Sequence, residues 1–221
     1  MRKIESVVLG VTLGAVPIIA SFLTGWWVSI PFAPESSIWR YALGGLLFGL
    51  FVDAIFLGRW IRRAYSMKTW VWMAVYGFYS IGVLGGFMGM PVFNLLLAVP
   101  AGAFVGRWLA HGGADSARMQ RTAQRTAAFT ATVLALVCLT SGSIALTAHS
   151  TASDLQGMLA LPFEVTHSMI VGIIVVGGAV MLVLDWWLTI GCVKCVYGYF
   201  IAHDKSPSGP TSRRSPYEGC Q

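Results

Sequence analysis

Six apolar stretches, each long enough to cross a bilayer, fill most of the chain and leave only short polar gaps between them. A spanning helix needs about 20 consecutive apolar residues to cover ~30 Å of hydrocarbon, whereas a strand of an outer-membrane barrel is about 10 residues of alternating character. The stretches lie at about 6–30, 38–58, 69–89, 91–110, 127–148 and 168–201, the last leaving the hydrocarbon near Thr189 and continuing as an interfacial helix. Within lipid, backbone N–H and C=O groups must be satisfied inside the segment, so unbroken runs of this length fold as helices. The expected fold class is an all-α integral membrane protein, a six-transmembrane-helix bundle.

Composition points the same way. Of 221 residues, 56% are hydrophobic and 11% charged, against about a quarter charged in soluble domains. No water-facing shell can be assembled from so few charges. The polar segments are too short to fold alone, which makes residues 1–203 one transmembrane domain. Residues 204–221, rich in Ser, Pro, Gly and Arg, cannot bury enough apolar surface to order themselves and form a disordered cytoplasmic tail. The first stretch has the basic start and apolar core of a secretory signal, but it is too long and lacks a small-residue cleavage site, so it counts as a span.

The net charge of +6 is informative through its placement. Arg2 and Lys3 precede span 1; Arg59, Arg62, Arg63 and Lys68 lie between spans 2 and 3; Arg107, Arg118, Arg121 and Arg125 follow span 4; Lys194, Lys205, Arg213 and Arg214 follow span 6. Only Arg40 falls on the other side. The positive-inside rule puts both termini in the cytoplasm, N-in and C-in, in a plasma (inner) membrane. Trp26, Trp27, Trp39, Trp60, Trp70, Trp108, Trp186 and Trp187 cluster near span ends as interfacial anchors. The partner implied by this basic balance is the lipid bilayer and not nucleic acid.

Packing signals follow. Gly10/Gly14, Gly45/Gly49, Gly82/Gly86 and Gly102/Gly106 are small-xxx-small pairs, which let helices approach closely in lipid, within the chain or against another membrane subunit or a second copy. Pro17 and Pro100 each remove a backbone donor and predict kinks. In the last outer loop, Ser153 and Gln156 form a capping box ahead of Leu155, Met158 and Leu159, with Pro162 as the stop; this predicts a short interfacial helix.

Few residues can carry chemistry. Asp53, Arg107 and Asp185 lie ~8, ~10 and ~9 Å from their span midpoints, all toward the cytoplasm, and form a candidate buried charge cluster. A charge at that depth costs about 3 kcal/mol on insertion scales, so each should face the interior, water or a partner charge. The cluster reads first as a structural ion pair of Arg107 with one Asp; the alternatives are that the second Asp is a proton or cation site, or that the side chains snorkel separately to the interface. Asn94, with the irregular backbone at Pro17 and Pro100, is the candidate solute pocket, the alternative being an amide that simply bonds a neighbouring helix. His149, Asp154, Glu164 and His167 bracket the last outer loop and could form a metal site or pH-sensitive gate, but their spacing matches no metal motif, and solvated loop polarity is the better reading.

Reaction chemistry is poorly represented. Cys192 and Cys195 form a CxxC toward the C-terminal end of a helix, where the dipole opposes a thiolate, on a side that keeps thiols reduced. Ser141-Gly142-Ser143 has no mid-membrane His to activate it. There is no HExxH, no phosphate-cradling loop and no pair of embedded histidines for haem, so no catalytic residue, metal or cofactor is assigned. The expected function is a small multi-pass transporter or transporter subunit for a small solute or ion. An accessory or assembly subunit of a membrane complex is the alternative. An intramembrane enzyme on a lipid-linked substrate, using Asp53 and Asp185, ranks last.

Overall fold

The computed structural model describes residues 3–87, 89–147 and 166–204. All regular structure among them is helical: α1 (Lys3–Ser29), α2 (Glu35–Arg63), α3 (Thr69–Gly86), α4 (Ala98–His111), α5 (Ser116–Thr147) and α6 (His167–Asp204), with 3₁₀ segments at Ala64–Ser66 and Pro91–Leu97. Five segments are long and apolar enough to cross a bilayer: Ser6–Ser29, Glu35–Ser66, Pro91–His111, Ser116–Thr147 and Ser168–His203. The described residues are thus all-helical, with several helices of membrane-spanning length and composition.

The third expected span is the weak one. α3 has 18 residues, ~27 Å at 1.5 Å per residue, and its glycines, tyrosines and tryptophans dilute its apolar character. It stops at Gly86, short of the expected 89, because Gly89 adopts φ +80, a left-handed backbone that ends a helix and favours glycine. The fourth span then begins as a 3₁₀ turn at Pro91. Pro100 lies in the first turn of α4 and not mid-helix. Its ring would clash with the carbonyl four residues back, so the regular helix starts only at Ala98. The expected kink is thus a change of helix type.

The chain divides into two compact units, Met1–Gly82 and Val83–Gln221. In the first, α1 and α2 form an antiparallel hairpin whose glycines pair in reverse order: Gly25 against Tyr41, Gly45 against Ser21, Gly49 against Ile18, Gly14 against Leu57 and Gly10 against Ile61. A Cβ on Gly49 would lie 2.6 Å from the Ile18 Cα and 2.7 Å from the Pro17 carbonyl oxygen, so the backbones themselves are in contact. α3 is tied on by the Tyr79 hydroxyl donating to the Thr12 carbonyl at 2.7 Å and the Trp72 indole donating to the Ala64 carbonyl at 3.2 Å.

In the second unit α4 and α6 are parallel, since Gly102 meets Thr189 and Cys192 while Gly106, one turn on, meets Val193 and Val196. α5 runs antiparallel to α6: Thr130 meets Asp185, and Gly142 meets Ile174. Leu109, Ala114, Ala123 and Val193 form the buried apolar cluster near one end, where the Tyr197 hydroxyl donates to the Ala114 carbonyl. The Asp115 carboxylate accepts from the Arg118 N–H at 2.9 Å and opens the polar first turns of α5. Three of the four glycine pairs therefore lie at helix contacts, whereas Cβ atoms on Gly82 and Gly86 would meet nothing within 4 Å. The expected interfacial helix in the last outer loop lies outside the described residues, as does the tail beyond Asp204.

Candidate functional site

The second unit buries a carboxyl. Asp185 sits close to the middle of α6, and Asp185, Thr130 and Thr189 are each 0% exposed. Thr189 follows Asp185 by one turn and shares its face of the helix. The Thr130 hydroxyl reaches across from α5 and donates to Asp185 Oδ2 at 2.8 Å, with the Thr189 hydroxyl 3.1 Å from that of Thr130. Threonines in apolar helices ordinarily bond their own backbone one turn back. Thr132 and Thr140 do so, at 2.7 and 2.9 Å, and both are exposed. Thr130 lies only 3.2 Å from the Ala127 carbonyl and makes its shorter bond sideways. Asp185 Oδ1 is buried and has no hydrogen-bond partner.

Asn94 is the second buried polar group of this unit, 2% exposed on the Pro91–Leu97 3₁₀ segment, which packs against α4, α5 and α6. Both amide atoms are buried without a hydrogen-bond partner. Extending the α4–α6 register back one turn from Gly102 sets Ala98 level with Asp185. Asn94 then lies ~8 Å further along the axis at 2.0 Å per residue of 3₁₀ helix.

Arg107 belongs to a different level. Its guanidinium stacks on Phe200, 3.8 Å from the ring centroid. Phe200 lies fifteen residues beyond Asp185 on the same helix, ~22 Å along the axis, which leaves no salt-bridge reach between Arg107 and Asp185. The expected shared depth is reckoned from the midpoints of spans 4 and 6, taken one helix at a time. The register of α4 on α6, with Gly106 at Val193 and Val196, instead sets Arg107 about three turns of helix beyond Asp185. Asp53 belongs to the first unit and is 8% exposed on α2. Gly14 makes the room for it, since a Cβ there would lie 3.1 Å from Asp53 Oδ2; Oδ1 is buried without a hydrogen-bond partner.

Of the candidate pocket residues, Asn94 and Pro100 fall in the second unit, and Pro17 falls in the first with its carbonyl against Gly49. His149, Asp154 and Glu164 lie outside the described residues, and of His167 only the backbone is described, at the start of α6. Among the described residues no three His, Cys, Asp or Glu side chains gather as a metal site. Cys192 packs against Gly102, while Cys195 is exposed. Thr130 and Thr189 were not picked out by the sequence reading. The spacing of Thr189 from Asp185 by one turn is a usable signal; the partnership with Thr130, on another helix, has none. No protein-family model, curated protein or solved structure matches this chain.

Proposed function

We propose that this protein is a small multi-pass transporter or transporter subunit for a small polar solute or ion, with six spans and both termini on the cytoplasmic side of a plasma (inner) membrane. The observation that carries the reading is Asn94, a primary amide buried in an apolar unit with neither its donor nor its acceptor bonded to protein. Leaving such a group unsatisfied costs about 1–3 kcal/mol, and an apolar residue there would avoid the cost. A side chain kept under that penalty fits a polar passenger or its water. The irregular backbone that carries Asn94 is of the kind tolerated at membrane depth where it borders a cavity or solute path.

The topology draws support from two sources. Basic residues fall in alternate gaps, and within the second unit α4 and α6 run parallel with α5 reversed, as alternating spans require. α3 crosses at ~27 Å by local thinning of the bilayer, a modest cost for so small a mismatch. The accessory-subunit reading is favoured by one observation, the open faces of Gly82 and Gly86.

The test is reconstitution into liposomes and flux measurement on a supported membrane with monovalent cations, amino acids and sugars as probes. At least one probe should give a saturable current or uptake that Asn94→Leu abolishes without loss of thermal stability. Absence of flux with every probe, or flux untouched by that substitution, would sink the reading in favour of the accessory subunit.

A further inference from the structure

The cluster around Asp185 calls for an account of its charge. A carboxylate oxygen pair offers about four acceptor positions; Asp185 receives one hydroxyl on Oδ2 and nothing on Oδ1. No charged side chain faces it among the described residues. On α4 the arginine is Arg107, held at Phe200. On α5 the nearest basic group is Arg125, exposed and ~8 Å before Thr130 along the axis. On α6 Lys194 is exposed and ~14 Å away, and the Pro91–Leu97 segment carries no charge. The nearest other titratable groups on these helices, Cys192 and Cys138, lie ~10 Å along α6 from Asp185 and ~12 Å along α5 from Thr130, with Cys195, Tyr197, Tyr199 and His203 further along α6, Arg118 and Arg121 further back on α5, and His111 at the end of α4. An isolated ion in such surroundings costs far more than a neutral hydrogen-bonded acid.

We propose that Asp185, Thr130 and Thr189 form a proton-binding site at the centre of the second unit. Its use as the coupling ion of transport rests on the transporter reading above. In the empty state the Thr130 hydroxyl donates to Asp185 Oδ2 and the Thr189 hydroxyl donates to Thr130. Uptake of one proton converts the carboxylate to the acid. The 2.8 Å contact then runs the other way, Asp185 donating to Thr130 Oγ1, and the Thr130 hydrogen turns to the Ala127 carbonyl at 3.2 Å. Every hydrogen has an acceptor, and Oδ1 is left as a neutral carbonyl oxygen, the cheapest orphan available. The two threonine rotors are what allow loading and release without moving a helix. Buried carboxyls of this kind serve as proton relays in membrane proteins generally.

Infrared spectroscopy of the protein in nanodiscs tests this directly. The neutral-carboxyl carbonyl stretch should be present at acid to neutral pH, fade reversibly with alkali and be missing in Asp185→Asn. It should shift in frequency in Thr130→Val, which keeps the acid but removes its acceptor and reads out the site even if Asp185→Asn folds poorly. The proposal is overturned if wild-type and Asp185→Asn spectra coincide, if the band resists alkali, if Thr130→Val leaves its frequency unchanged, or if sodium rather than pH alters it. Asn94→Leu should leave the band intact. Failure of transport with the band present would therefore count against the transporter reading and its coupling role while the proton site stands.

Discussion

Gly45 of α2 faces the carbonyl oxygen of Ser21 on α1 so closely that a single added methyl would overlap it. That approach is what joins α1 and α2. In lipid the tails are as apolar as leucine, so helices associate through close backbone packing and not through hydrophobic exclusion.

Gly45→Ala should therefore lower the thermal unfolding midpoint in detergent, by an amount at or above the ~1–3 kcal/mol of ordinary overpacking. Gly82→Ala, with open space around it, should be neutral or stabilising by up to about 1 kcal/mol through helix propensity. Tryptophan fluorescence melts of the two variants provide the comparison. Equal destabilisation by both would refute the α1–α2 contact.

Asn94→Leu should raise stability by about 1–3 kcal/mol, because it removes two buried polar atoms that have no partner. Chemical denaturation in mixed micelles measures it. A clear loss of stability would mean that the amide is bonded within the folded protein.

Arg107 and Phe200 should be energetically coupled. A double-mutant cycle with Arg107→Ala and Phe200→Leu is expected to give about 0.5–2 kcal/mol, the range of a cation–π contact. The corresponding cycle of Arg107→Ala with Asp185→Asn should give a coupling near zero, since the two residues occupy different levels of α6. A large value in the second cycle would restore the ion pair.

For the topology, single cysteines at Ser36 and Ser153 should react with an impermeant maleimide from outside the cell. Cysteines at Ser116 and Ser212 should react only after permeabilisation. Labelling of Ser36 and Ser116 from the same side would exclude the alternation of spans.

The helices themselves were legible as runs of apolar residues, because the bilayer sets a minimum length that a composition count can recognise. Gly45, Gly49, Gly102 and Gly106 were legible as contact points for the related reason that close approach in lipid demands a missing side chain. α3 reads from sequence as a full span over 69–89, and the fold shortens it to 18 residues, at the lower limit for crossing.

Tertiary structure alone decided which groups meet. Sequence estimates a residue's depth one helix at a time; the register of α4 on α6, which only the fold sets, places Arg107 at Phe200 and about three turns from Asp185. Depth also says nothing of rotation about the helix axis, and rotation is what turns Thr130 of α5 toward Asp185 of α6 and leaves Thr132, two residues on, bonded to its own backbone. Apolar residues surround α6 almost evenly, so no hydrophobic stripe marks its inner face. The choice of face comes from glycine contacts and from the demand of one buried carboxyl for a donor.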